Sequence, residues 1–269
     1  MSDHPNLLEP WEPITLEAGQ TRLWQIGPLK LYIHRSGHEW HLATEEVREQ
    51  EDGLAVAGEA EPGEDIQWRR WATPGGEDRL RLGPLMPDRP VVVRPKAPLA
   101  FPPGAGGTLY ARIPVWVQLN VGGEDHEVTL CEVPSITLSN TWFGPDTTEG
   151  ELCYSMASTL VSELESVNPA PHRAICALHL QNEAEEPLNL ERMCIRGQQI
   201  SVFGLDGCLW TSEVTVTYRD PAEPSRVEYS DKRFRKDENA KELTPPRNPI
   251  TGGLVARSFA RVASIGNLF

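Results

Sequence analysis

The sequence predicts a mainly β protein: two antiparallel, sandwich-like β subdomains followed by a short C-terminal amphipathic helix. Three observations predict it. Apolar and polar residues alternate at period two in many short runs, the pattern of half-buried strands. The 24 prolines and 22 glycines of the 269-residue chain fall between those runs as turn punctuation. No strand-then-helix alternation is present, which argues against a doubly wound sheet. The expected division is an N-terminal β subdomain at 1–100, a β-sandwich subdomain at 101–230, and a basic linker with the helix at 231–269.

The first strands are TRLWQIG, PLKLYIHR and HEWHLATEE. In LKLYIHRSGHEWHLATEE the alternation continues on both sides of Ser36-Gly37, and Gly37 can supply the positive φ of a two-residue hairpin loop. With that loop, Leu31, Ile33, Trp40 and Leu42 share the core face. His34, Glu39 and His41 share the other. Imidazole and carboxylate suit a zinc-like ion, so these three are candidate metal ligands, weighed against a solvated His–Glu face. An acidic loop, REQEDGLAVAGEAEPGED, comes next, and then the strands DIQWRRWAT and DRLRLGPL.

The run MPDRPVVVRPKAPLAFPPGAGGT is broken by prolines and reads as an edge segment or a crossing between subdomains. Its GAGG lacks the lysine and helix of a phosphate loop. TLYARIPVWVQLNV reads as one long strand, returning as HEVTLCEVPSITLS. Glu124, Asp125, His126 and Glu127 form a solvated tip between them. ASTLVSELESV is the one helix candidate of the body, with its threonine and valines leaving strand open. RAICALHLQN, LNLERMCI, QQISVFGLDGCLWTSEVTVTYRD and SRVEYS are closely spaced strands. After TPPRNP, LVARSFARVASIGNLF sets Leu254, Phe259 and Val262 on one helical face and Arg257 and Arg261 on another. These five are candidate partner-docking residues.

Charge narrows the partners. The chain carries −14 overall; from Asp231 onward eight Lys or Arg face four acids, a net of +4, so the preceding residues carry −18. Such a body is a poor nucleic-acid surface, and no run is long enough for a membrane-spanning helix. Five cysteines without a C-x-x-C spacing read as reduced thiols of a cytoplasmic protein, Cys176 and Cys194 as small hydrophobes inside strands. No nucleophile elbow, H-E-x-x-H or nucleotide-binding glycine pattern is present. No cofactor is expected. Seven of the eight tryptophans precede residue 143, which raises a small-ligand or carbohydrate-binding module. Trp40 and Trp116 belong to apolar stripes and read as core. Trp68 and Trp71 would face opposite sides of one strand.

Three stretches carry a family resemblance: IGPLKLYIHRSGHEWHLA; ARIPVWVQLNV through TWFGPDTTEGELCYSM; and PHRAICALHLQNEAEEPLNLERMCIRGQQISVF. Their most specific parts are the loop from Phe143 to Ser155 and the strand from Pro171 to Cys176. Over roughly 20–265 the chain resembles the prokaryotic family called domain of unknown function 432. That family has no established activity and no catalytic residues to carry over. Its genes often neighbour those of small-conductance mechanosensitive channels, so the resemblance implies a cytoplasmic accessory role beside a channel's cytoplasmic part.

The expected function is therefore a non-enzymatic interaction protein with a protein partner, or a homo-oligomer, docking through its β surfaces or basic tail. The ligand-binding module is the alternative. An enzyme is the third reading, with Glu149, Glu151 and His172 converging beside the FGPDTTEGE loop.

Overall fold

A computed structural model describes residues 7–47, 56–59, 63, 66–73, 77–123, 126–144, 148–220, 225–248 and 254–256, with backbone alone at 56–59, 157–159 and 254–256. Strand takes up 57% of the described residues and helix 7%, so the protein is mainly β. Among the described residues the strands form five sheets, which include a curled mixed half-barrel.

The first seven strands are β1 (Ile14–Thr15), β2 (Thr21–Ile26), β3 (Leu29–Ser36), β4 (Glu39–Glu46), β5 (Val56–Glu59), β6 (Arg69–Ala72) and β7 (Arg79–Leu85). An antiparallel sheet runs in the order β5-β2-β3-β4-β6. The β3–β4 loop is Gly37-His38, one residue later than the sequence predicts. Ser36 faces Glu39, His34 faces His41 and Ile33 faces Leu42. Gly37 has a φ of 59°, which suits the first central position of a tight hairpin turn. Moving the loop by one residue moves the pairing by two, so every side chain keeps its expected face. Leu31, Ile33, Trp40 and Leu42 are all buried. Arg35 joins them on the core face, and its Nη1 donates to the Leu16 carbonyl at 3.1 Å.

The next strands are β8 (Val91–Pro95), β9 (Leu99–Phe101), β10 (Gly106–Pro114), β11 (Trp116–Val121), β12 (Val128–Pro134), β13 (Ser139–Phe143) and β14 (Glu151–Leu160). The long strand expected at 108–121 breaks at Val115, and its halves enter different sheets. β11 lies between β7 and β12 in the order β1-β7-β11-β12. A ladder thus joins residues 80–85 to residues 116–121, across the expected division at 100. The helix candidate at 157–167 is strand as far as Leu160, followed by a short 3-10 turn at Leu164–Ser166. Its parallel pairing with β8, which includes Thr159 opposite Arg94 and Leu160 opposite Pro95, overrides the modest helical preference of the segment.

The last nine strands are β15 (Arg173–Asn182), β16 (Leu188–Leu190), β17 (Met193–Ile195), β18 (Val202–Leu205), β19 (Cys208–Thr211), β20 (Glu213–Tyr218), β21 (Ser225–Ser230), β22 (Lys241–Thr244) and β23 (Leu254–Ala256). β15 is the centre of the largest sheet, β22-β18-β19-β15-β20-β21-β23. β10 runs antiparallel along β15, while β19 and β20 run parallel to it. The expectation of purely antiparallel sheets is corrected here and in the sheet β13-β14-β8-β17, where β14 and β8 are parallel. β8 is interior rather than an edge. Its prolines stand at the ends, so Val91, Val92 and Val93 keep their ladder donors and are buried. The largest core cluster draws Trp24, Ile33 and Trp40 from the first sheet, Leu119 from the second, and Ile113, Leu178 and Val216 from the half-barrel.

The C-terminal helix does not begin at Leu254. Leu254–Ala256 is strand, with Leu254 opposite Val227 and Ala256 opposite Ser225. The edge of β21 offers unpaired backbone groups, and pairing with them takes precedence over the amphipathic pattern. Arg257, Phe259, Arg261 and Val262 lie outside the described residues. The one α-helix among the described residues is α1, Lys232–Lys236. Its Phe234 is buried and stacks on Phe203 with ring centroids 4.5 Å apart, and the Arg233 guanidinium lies 4.7 Å from the Trp210 ring centroid. No helix among the described residues is long and apolar enough to cross a membrane. Phe234→Ala is expected to lower unfolding free energy by about 3–5 kcal/mol in urea titrations; a loss below about 1 kcal/mol would mean that α1 is not held by its ring.

Candidate functional site

The three residues of the enzyme reading fall into different surroundings. His172 is fully buried just before β15. Its carbonyl accepts from Val115 N at 3.0 Å and from Ser135 Oγ at 3.4 Å. Its Nε2 accepts from Arg173 Nε at 3.1 Å, which puts the ring proton on Nδ1, and Nδ1 has no hydrogen-bond partner among the described residues. Burial, then the charges of Arg173 and Arg112, push the imidazole down to about 3. It is a neutral packing group at ordinary pH. Gly27 covers it: its φ is 61°, and a Cβ there would stand 2.2 Å from His172 Nδ1. The ring is the seat for the β2–β3 turn.

Glu149 is exposed in the loop before β14. The loop is drawn tight at two glycines. A Cβ on Gly144 would meet the Glu149 carbonyl at 2.0 Å, and one on Gly150 would meet the Phe143 carbonyl and Trp142 Nε1, each at 2.7 Å. The turn therefore needs glycine at both places.

Glu151 opens β14 and belongs to a different group. It forms an ion pair with Arg196 through Oε1, and the same oxygen is 3.8 Å from Cys194 Sγ. Cys194 Sγ is 3.9 Å from Cys153 Sγ. Among the described residues, Glu151, Cys153 and Cys194 are the one set of three potential ligands whose donor atoms all lie within 4.8 Å of one another. The fold explains the meeting. Residues 151 and 153 share a face of β14 because strand side chains alternate. Cys194 lies on β17, opposite Val92 of the intervening β8. Val92 and Phe143 pack with the two thiols, and the Arg192 guanidinium lies 5.3 Å from the Phe143 ring centroid. The hydrogen bond from Cys194 is the largest influence on Cys153 and, with Arg196 and Arg192, lowers it despite burial. The same bond, then burial, raises Cys194 well above the ordinary thiol value.

Sequence spacing did not find this group. The cysteines stand 41 residues apart on strands that are not neighbours in the chain. The local signals are Glu-x-Cys at the head of β14 and Cys-x-Arg at the end of β17.

His34 and His41 face each other, with ring centroids 5.3 Å apart and Trp68 6.3 Å from each. Thr21 Oγ1 is 2.9 Å from His34 Nδ1. Glu39 Oε2 is bound by His41 Nε2 at 2.9 Å and by Arg70 Nη2 at 2.5 Å. These hydrogen bonds, His41's first, hold the Glu39 carboxyl below the usual range. Burial, then His41, lowers His34. Each of the three residues already has a polar partner, and their donor atoms do not form a close set. Among the tryptophans of the first half, which raise the ligand-binding reading, Trp11 and Trp24 are buried, while Trp68 and Trp71 are half-buried.

Gly27→Ala forces a left-handed φ and a clash with the buried ring. It is expected to cost about 2–4 kcal/mol in chemical denaturation. The His172 imidazole also sets an acid dependence. The unfolded chain protonates near 6.5 and the folded one near 3, so this contribution is complete above 6.5 and is lost as pH falls towards 3. The loss is about 1.4 kcal/mol per pH unit at most. Denaturation of the wild type and His172→Gln between pH 7 and 4 should show the wild-type advantage shrinking as the pH falls. A constant difference would mean that His172 is not desolvated.

A family model described as Protein of unknown function (DUF432) matches residues 10–263. No curated protein and no solved structure matches the chain. The match spans every described strand, the Phe143–Ser155 loop and the thiol–carboxylate group, and the chain belongs to the DUF432 family.

Proposed function

We propose that this protein is a non-enzymatic cytoplasmic accessory protein that docks a protein partner through the outer face of the β13–β14 hairpin. One observation carries the reading. Trp142 and Leu152 are directly opposite each other on that hairpin, and they are 43% and 46% exposed. β13 is the outer strand of its sheet. Adjacent large apolar side chains in water are a recognised mark of an interaction site, and tryptophan leads the residues that anchor interfaces. The close packing of Gly150 on the Trp142 indole limits the ring's freedom before binding, which lowers the ordering cost.

The partner implied by the family resemblance is the cytoplasmic part of a mechanosensitive channel. A second copy of the chain is the other partner of the same class. The carbohydrate-binding reading has Trp68 beside His34 and His41 in its favour, but those rings meet at 61–63° rather than forming a flat platform.

Trp142→Ser with Leu152→Ser is expected to weaken binding to the purified channel domain by about 30-fold or more, the scale of one lost anchor. The melting temperature should be unchanged. Equal affinity of wild type and double variant would move the docking surface elsewhere, and no binding by the wild type would remove the channel as partner.

A further inference from the structure

We infer that Cys153, Cys194 and Glu151 form a binding site for a single thiol-preferring divalent cation of the zinc type. The distances carry the inference. Two thiolates on one tetrahedral zinc, each about 2.3 Å from the metal, stand about 3.8 Å from each other. The two sulfurs are 3.9 Å apart. Cys194 Sγ to Glu151 Oε1 is 3.8 Å, near the about 3.5 Å expected between a sulfur and a carboxylate oxygen on the same ion. The three donor atoms all lie within 4.8 Å of one another, and the fourth position is left to water or another ligand.

A disulfide is the usual alternative for two close cysteines. β8 lies between β14 and β17, and the two sulfurs stand 3.9 Å apart, well beyond the about 2.05 Å of a bond, with both thiols free.

The surroundings fit a metal–thiolate complex. Arg196 engages Oε1 of Glu151 and fixes the carboxylate beside the two sulfurs, the part that outer hydrogen bonds play at metal sites. Two thiolates and a carboxylate on a divalent cation carry one net negative charge, and the Arg196 guanidinium offsets it. Arg192 adds a second positive charge, and its buried Nε has no hydrogen-bond partner among the described residues. Binding displaces the thiol protons to solvent, two when both sulfurs start protonated. The remaining cysteines lack this setting. Burial pushes Cys176 up to about 12 and Cys131 up to about 11.

The test uses the full chain, reduced and stripped of metal. Cobalt(II) should give a thiolate-to-cobalt charge-transfer band that saturates at one ion per chain, and zinc should abolish it. Cys153→Ser and Cys194→Ser should each lose the band and weaken zinc binding by about 100-fold or more. Glu151→Gln should keep the band and bind about 10-fold more weakly. Cys208→Ser should behave as the wild type. In case the serine variants unfold, the wild type is tested alone: zinc should raise its melting temperature and protect two thiols from alkylation. Absence of the cobalt band in the folded wild type overturns the inference. So does zinc binding that survives in a folded Cys153→Ser, Cys194→Ser double variant, or a Cys153–Cys194 disulfide in the native protein.

Discussion

The ladder between β10 and β15 is the constraint on which the other sheets depend. Nine positions pair without interruption, from Gly106 opposite Gln181 to Pro114 opposite Arg173. Ala111, Ala174, Cys176 and Ala177 are buried along it, small side chains that admit close packing layers on either face. The other edge of β15 is shared by β19 and β20, so one strand aligns both halves of the large sheet. At its end the ladder fixes a further element. Val115 N bonds the His172 carbonyl, and the His172 ring then sits under Gly27. The β2–β3 turn is seated there, and with it the edge-to-edge order of the first sheet. A residue outside both strands thereby carries the alignment of the ladder into a sheet that shares no hydrogen-bonded strand with it.

This dependence also marks how far the sequence could be read. Strand positions were legible because a half-buried strand writes its own period: the β3 and β4 runs, RAICALHLQN and SRVEYS fall within a residue or two of the strands observed. The Gly37 hairpin was legible to one residue, and period two protected its faces from that error. Parallel pairing was not legible. β8 and β14 are brought together by contacts distant in sequence, and local alternation is the same for either strand direction. Pro90 and Pro95 suggested an edge because proline removes a donor, but both stand just where the ladder ends. Leu254 had helical periodicity, and an open strand edge took its backbone instead.

The candidate site was half legible. Glu151 was singled out from its loop, but with His172, whose burial beside Arg173 and Arg112 makes it a packing group. Its actual companions are two cysteines that spacing rules treat as unrelated. Such rules detect ligands held by one turn or hairpin. Here the ligands come from strands separated by a third, a geometry that leaves no fixed interval in the chain. Cys194 was read as a small hydrophobe because it sits in an apolar strand-like run, and it is buried, as are Met193 and Ile195. What separates it from Cys176 is a second sulfur at 3.9 Å and a guanidinium-held carboxylate beside it.

The head of β14 joins the two functional readings by strand geometry alone. Glu151 and Cys153 point to one face and Leu152 to the other. Leu152 is opposite Trp142 on the outer surface, and Phe143, next to Trp142, packs on the thiols. One hairpin therefore has an apolar pair facing solvent and a thiol–carboxylate group behind it. Gly144 and Gly150, at the ends of the connection between β13 and β14, pack closely on Glu149, Phe143 and Trp142. An ion held by Cys153 and Cys194 would link β14 to β17 across β8 and stiffen the strand that displays Leu152. Occupancy behind the hairpin and the order of its outer face are then coupled through the backbone of a single strand, without any larger rearrangement of the sheets.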